Sequence, residues 1–249
     1  MIIYDSSLQI FYSDKINGRK YFSGFGTRQL GDARHIFNLV NYFSSINLTN
    51  KKIVVPEQIH STNISFLDSP TQERFIKVEE TDGVITKNKE LILTIKTGDC
   101  VPIIFCDKKA GLIGISHQGW RGSLKKMVHK MVARMIEHGG QKESIIAAIG
   151  PAIGDCCYDI DDDRYYSFLE ELENYTNLIF HLRSGKRHLS LVQLNYLLLI
   201  EAGIKKENID FFPFCTSCDQ KRFFSFRRNK KEDYGEMLSF ITINTDDKK

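Results

Sequence analysis

The sequence predicts an α+β chain in which mixed β-sheets pack against helices, and three observations lead there. Nine short β-rich runs recur between residues 52 and 243, too many for a helical protein. Helical periodicity is confined to three stretches among them. The regular strand-helix alternation of a doubly wound fold is missing.

In chain order, the runs 52–55, 83–86 and 91–95 are rich in Val, Ile, Leu and Thr. The runs 101–106 and 112–116 are separated by Asp107-Lys108-Lys109-Ala110, which reads as a hairpin turn. After Gly122-Ser123, the residues Leu124, Met127, Val128, Met131, Val132, Met135 and Ile136 repeat at helical spacing until Gly139-Gly140 stops the pattern. Their Met-rich stripe is read as core packing, with His129 and His138 at exposed helix positions. A strand at 144–149 follows, then a helix at 163–174 with acidic residues facing water. Residues 189–202, closed by Gly203, are apolar on nearly all sides and read as a buried helix. Strands at 210–214, 223–226 and 238–243 complete the pattern.

At 249 residues the chain can bury roughly 70 to 75 % of its unfolded surface without covalent staples. With no repeat and no Pro/Ser-rich linker, 1–249 reads as a single catalytic domain. The net charge is +3, and the densest basic groups, Lys125-Lys126, Lys205-Lys206 and Arg227-Arg228 with Lys230-Lys231, are short. They read as solvated faces or anion contacts, so no nucleic-acid partner is expected. No charged leader precedes an apolar stretch and no run approaches a membrane span, so a cytoplasmic protein is expected. The six cysteines are then read as thiols. Cys156 and Cys157 are adjacent and would be strained if bridged. Cys215-Thr216-Ser217-Cys218 is a lone C-x-x-C, without the second pair at matching spacing that a closed zinc knuckle needs.

Three residues carry the chemistry. His60, Cys100 and His117 sit in Gln58-Ile59-His60, Thr97-Gly98-Asp99-Cys100-Val101-Pro102 and His117-Gln118-Gly119-Trp120-Arg121-Gly122. Two imidazoles and a thiolate suit zinc, and three protein ligands leave a fourth tetrahedral position for water or substrate. Pairing 101–106 with 112–116 brings Cys100 and His117 together at the sheet rim. A helix starting near Ser123 would offer an anion its N-terminus there and depress the Cys100 pKa. His60 ends another β-like run and is within reach, although a hydrogen-bonded core histidine is the blander reading. Asp99, if extended, points away from Cys100 and serves as a partner for backbone or Arg groups. Trp120, the only tryptophan, reads as the anchor of a tight strand-to-helix turn.

In this order the motifs resemble the multicopper polyphenol oxidase (laccase-like) family, whose members have been reassigned as multifunctional purine nucleoside enzymes. The likeness also includes Gly24-Phe25-Gly26-Thr27-Arg28, Thr81-Asp82-Gly83-Val84-Ile85-Thr86, residues 149–154 with Cys156-Cys157-Tyr158, and Cys215-Thr216 with residues 223–228. It implies a fold related to the catalytic domain of cytotoxic necrotizing factor and a zinc site on His60, Cys100 and His117, where copper can also bind in vitro. The implied activities are phosphorolysis of adenosine, inosine, guanosine and S-methyl-5'-thioadenosine, and deamination of adenosine, with purine nucleoside and phosphate as partners. Catalytic roles then fall to Cys100, His117 and Arg28, the last as a bidentate phosphate ligand.

The chain departs from the family at Gly98 and Gln118, where alanines are usual, and in the short segment after Arg28. It departs again at Gly235-Glu236, where Gly-Arg is common. A cysteine hydrolase using Cys100 and His117, possible in peptidoglycan-precursor editing, is the main rival reading. A metal-stabilised binding module is the non-enzymatic one. A true laccase uses many imidazoles, typically in His-x-His pairs, and the seven histidines include none.

Overall fold

The computed structural model describes residues 1–69, 72–229 and 234–244, so Lys230-Lys231 lie outside it. The chain begins with strands β1 (Ile2–Asp5), β2 (Ile10–Ser13) and β3 (Tyr21–Gly26), then helix α1 (Ile36–Ser45). Next come β4 (Lys52–Pro56), β5 (Ile64–Phe66), β6 (Phe75–Val78), β7 (Gly83–Thr86), β8 (Leu91–Thr97), β9 (Val101–Asp107) and β10 (Leu112–Gln118). Helices α2 (Trp120–Leu124) and α3 (Met127–Glu137) precede β11 (Ile145–Ile149) and β12 (Asp159–Ile160). Helices α4 (Asp162–Leu172) and α5 (Thr176–Ile179), the hairpin β13 (Phe180–Arg183) and β14 (Lys186–Leu189), and helix α6 (Leu191–Glu201) follow. The last elements are β15 (Ile209–Phe211), α7 (Phe226–Asn229) and β16 (Met237–Ile243).

Two mixed sheets dominate. One runs β1-β2-β3-β16-β8-β4-β6 and the other β15-β11-β9-β10-β7-β5; β12-β14-β13 form a small third sheet. The expected α+β class with mixed sheets is observed: β4 runs parallel to β6 and β8, while β16 is antiparallel to β3 and β8.

Period-two alternation explains the layering. On β16, Met237, Ile241 and Ile243 face the second sheet, joining Leu91 and Leu93 of the neighbouring β8 in a core with Ile104, Cys106, Ile113 and Ile115 of that second sheet. Leu238 and Phe240 face the other way, under Leu39, Tyr42 and Phe43 of α1. On β9 the split repeats: Ile104 and Cys106 enter the inter-sheet core, while Val101, Ile103 and Phe105 meet α3 and α6. The order is therefore helix, sheet, sheet, helices. The Met stripe is core as expected, since Met127, Met131 and Met135 are fully buried; truncating one to Ala would cost about 2–5 kcal/mol.

Three expectations change. The helix read as starting near Ser123 is broken in two: α2 ends at Leu124 and Lys126 adopts a left-handed conformation (φ 52°) before α3. The helix at the exit of β10 is therefore only the short α2, which begins inside the His117 motif at Trp120 and supplies no substantial anion-binding terminus. Of the run expected at 223–226, residues 223–225 are loop and Phe226 starts α7, the Ser225 hydroxyl and the Arg227 backbone N–H donating to Asp99 instead of to a strand partner. The strand expected at 210–214 is the shorter β15. No helix among the described residues is long and apolar enough to cross a membrane.

Candidate metal centre

The β9–β10 hairpin has the register its sequence suggests, with His117 opposite Pro102 and Gln118 opposite Val101. Cys100, one residue before β9, therefore meets the exit of β10. His60 arrives on the loop after β4, with φ 60°. Its Nε2 lies 3.9 Å from Cys100 Sγ, and its ring stands edge-on to His117 with centroids 4.7 Å apart. The three donor atoms lie within 4.8 Å of one another. Gly119 permits this packing, since a Cβ there would fall 2.7 Å from the His60 ring.

A residue that the sequence did not single out organises the group. Asp82, fully buried at the start of β7, accepts hydrogen bonds from His117 Nδ1 at 2.7 Å, His60 N at 3.1 Å, Ser61 N at 2.6 Å and Ser61 Oγ at 2.7 Å. One carboxylate thus orients the His117 ring and pins the loop that carries His60. With Nδ1 engaged, His117 presents Nε2 to the site, the usual arrangement of a metal-ligating imidazole. The only signal in the sequence was the Thr81-Asp82-Gly83 motif.

The electrostatics agree. Burial would raise the Asp82 carboxyl, but hydrogen bonds from His117 and Ser61 outweigh it and hold it below its ordinary value. Burial would also raise the Cys100 thiol; the charge and hydrogen bonds of the neighbouring imidazoles bring it down to about 7. His117 is pushed up to about 10, because the Cys100 thiolate and Asp82 outweigh the opposing effect of burial. Between about pH 7 and 10 Cys100 and His117 therefore form a thiolate–imidazolium pair until a cation replaces the proton.

Two imidazoles and a thiolate, with a carboxylate behind one imidazole, fit zinc, and this donor set also occurs around copper. They do not fit a multicopper oxidase. Among the described residues only this metal-capable group contains histidine, and it holds two imidazoles.

The three donors open onto a cavity of about 620 Å³, the size of a small-molecule site. Arg34, Lys96, Arg164 and Arg227 with Glu57, Asp99 and Glu236 supply its charges, and Trp120, Ile153, Tyr158, Leu191, Phe226 and Tyr234 its apolar surface. Trp120 is partly buried against the core, and the guanidiniums of Arg121 and Arg164 lie over its ring at 4.5 and 4.7 Å. Arg164 Nε is buried with no hydrogen-bond partner. Glu236 lines the cavity, and burial lifts its carboxyl above the ordinary value despite nearby Lys96, His117 and Arg34.

The structure brings His60, Cys100 and His117 together, but not Arg28. Its Nη1 donates to Gln220 O at 2.8 Å, its guanidinium stacks 4.9 Å from the Phe224 centroid, and it lines a separate groove with Cys215 and Cys218. Asp99 is not extended; φ is 93°. As a partner for backbone groups it meets expectation, accepting from Arg227 N at 2.7 Å, together with Thr216 Oγ1 at 2.6 Å and Ser225 Oγ at 2.9 Å. His129 is half-buried and pairs with Glu201 at 3.0 Å, while His138 stacks on Phe66 at 3.6 Å.

Residues 27–244 match the model of a family described as multi-copper polyphenol oxidoreductase laccase. Over 193 residues the chain is 36% identical to a protein of Geobacillus stearothermophilus named purine nucleoside phosphorylase YlmD, covering 74% of this chain and 70% of that one. Over 182 residues it is 30% identical to adenosine deaminase RL5 of an unknown prokaryotic organism, covering 71% and 70%. The crystal structure of YlmD from Geobacillus stearothermophilus superposes with a TM-score of 0.82 at 30% identity, covering 94% of each chain.

Proposed function

The chain belongs to the multi-copper polyphenol oxidoreductase laccase family, and from that premise we propose that it is a zinc-dependent purine nucleoside phosphorylase that also deaminates adenosine. The observation that carries the reading is the convergence of His60, Cys100 and His117 on a cavity that holds both cationic and aromatic groups. Relatives named purine nucleoside phosphorylase and adenosine deaminase support it. So does the poor fit of two imidazoles to multicopper oxidation. The implied kinship with the cytotoxic necrotizing factor domain belongs to the same reading.

In phosphorolysis a phosphate oxygen bonds to the anomeric carbon as the C–N glycosidic bond breaks, giving pentose 1-phosphate and free base. The protein must hold the phosphate beside that carbon and ease departure of the base. Arg164, with its unpartnered Nε on the cavity wall, holds the phosphate, while Arg227 is tied to Asp159. Glu236 retains a proton more readily than an ordinary carboxyl and supplies it to the leaving base. Trp120, Tyr158, Phe226 and Tyr234 line the cavity, and the purine packs among them. Bound at His60, Cys100 and His117, zinc would supply Lewis acidity towards phosphate or, in deamination, water. Asp82 keeps His117 oriented throughout.

Purified protein should be incubated with adenosine, inosine, guanosine and S-methyl-5'-thioadenosine, with and without phosphate, and the products resolved by chromatography and mass spectrometry. Free base and pentose 1-phosphate should appear only with phosphate and vanish in Cys100→Ala. No turnover of any nucleoside would overturn the reading. The thiolate–imidazolium pair favours one rival, a cysteine hydrolase, which would be active without metal and silenced by alkylation of Cys100.

A further inference from the structure

The second pair that the lone C-x-x-C lacked is Cys156-Cys157. These two residues and Cys215 and Cys218 come from segments nearly sixty positions apart, and their four sulfurs lie within 4.8 Å of one another. Cys218 Sγ is 3.3 Å from Cys157 Sγ and 3.5 Å from Cys156 Sγ. All four are free thiols. Around one tetrahedral cation with metal–sulfur bonds of about 2.3 Å, the sulfurs would sit roughly 3.8 Å apart, so closure needs only small shifts.

One backbone donor already faces the cluster. Gly154 N donates to Cys215 Sγ at 3.1 Å, the kind of charge-assisted contact that steadies a ligating thiolate. A Cβ at Gly154 would fall 3.2 Å from Cys156 Sγ and 3.1 Å from Cys215 Cβ, so a larger residue would crowd the cluster. A backbone bridge joins Ala152 to Cys215, and Thr216 N donates to Ala152 O at 3.0 Å, which fixes the two cysteine segments side by side.

We propose that Cys156, Cys157, Cys215 and Cys218 form a closed tetrathiolate site for zinc, separate from the His60, Cys100 and His117 centre and structural in role. Four protein donors complete the tetrahedron and leave no position for substrate. The cluster ties together two segments that support the cavity. Tyr158 follows Cys157 and lines the cavity; Arg227 donates to Cys157 O; Thr216 donates to Asp99, the neighbour of Cys100.

The test counts and identifies metal, independently of catalysis, so its failure and that of the nucleoside reading are distinct. Zinc in protein purified from zinc-supplemented cells under reducing conditions should be measured by elemental analysis and native mass spectrometry. Two ions per chain are expected in the wild type and one in Cys100→Ala, which leaves the cluster intact. X-ray absorption of Cys100→Ala should show four sulfurs at about 2.3 Å and no nitrogen. The double variant Cys156→Ser/Cys218→Ser should lose one ion and keep the other. A metal-free Cys100→Ala protein, nitrogen around its zinc, or a wild-type mass lower by two hydrogens, as a disulfide requires, would each overturn the proposal.

Discussion

At the His60, Cys100 and His117 rim, three donors of two kinds face a cavity, and a buried carboxylate behind them orients one ring and holds the loop of another. At the cluster of Cys156, Cys157, Cys215 and Cys218, four donors of one kind close on each other, with a backbone N–H behind one of them. The first arrangement leaves room for reaction and surrounds it with proton carriers. The second leaves no room. The difference lies in coordination number and in what stands behind the ligands, rather than in the mere presence of cysteine.

Breaking the open site should have the largest effect. Cys100→Ala should reduce nucleoside turnover to background while circular dichroism and thermal unfolding stay near wild type. Asp82→Asn should weaken zinc binding by about 10–100-fold, read by competition with a chromophoric chelator, because the ligands remain but the acceptor that orients His117 is degraded. Breaking the closed site should act on stability instead. Cys156→Ser/Cys218→Ser should lower Tm by roughly 4–12 °C, equivalent to about 2–3 kcal/mol in a protein of this size, with a smaller loss of turnover than Asp82→Asn.

Acidity should sharpen the contrast. Loading the open site requires a Cys100 thiolate and a neutral His117; without metal, Cys100 titrates near 7 and His117 near 10. Zinc uptake at neutral pH should therefore release a proton, and apparent affinity should rise between pH 7 and 10 and fall steeply below 7, measured by titration in buffers of different ionisation enthalpy. The smallest effect is expected from Arg28→Ala. That guanidinium is committed to Gln220 and Phe224, so KM for phosphate should be unchanged, whereas Arg164→Ala should raise it.

What could be read from residues alone was what depends on short range. The β9–β10 hairpin needs only a turn and two apolar runs, and it brought Cys100 and His117 together as expected. The helices α3, α4 and α6 announce themselves by periodicity or caps; Ser190 and Asp161 each accept the backbone N–H three residues on. The amino-terminal strands did not announce themselves, because β1 is half exposed and Gly24 and Gly26 interrupt the β-like character of β3. Helix α1 lacks a side-chain N-cap, since its first turn follows His35. The aromatic run at 223–226 looked like a strand because burial and strand formation favour the same side chains; Asp99 decides between them by taking the backbone N–H of Arg227. Asp82 and the four-cysteine cluster depend on contacts between segments far apart in sequence, which no local pattern encodes.

The position of β16 has a consequence for biosynthesis. Met237–Ile243 lies between β3 and β8 in the larger sheet, with six residue pairs to β8 and five to β3. On the ribosome, β3 and β8 are made long before the strand that joins them, so their open edges must wait unpaired while more than a hundred residues are added. Such long-range closure is slow and exposes edges prone to aggregation. A nascent chain halted before β16 would carry every metal donor named here yet lack the strand needed to complete the sheet.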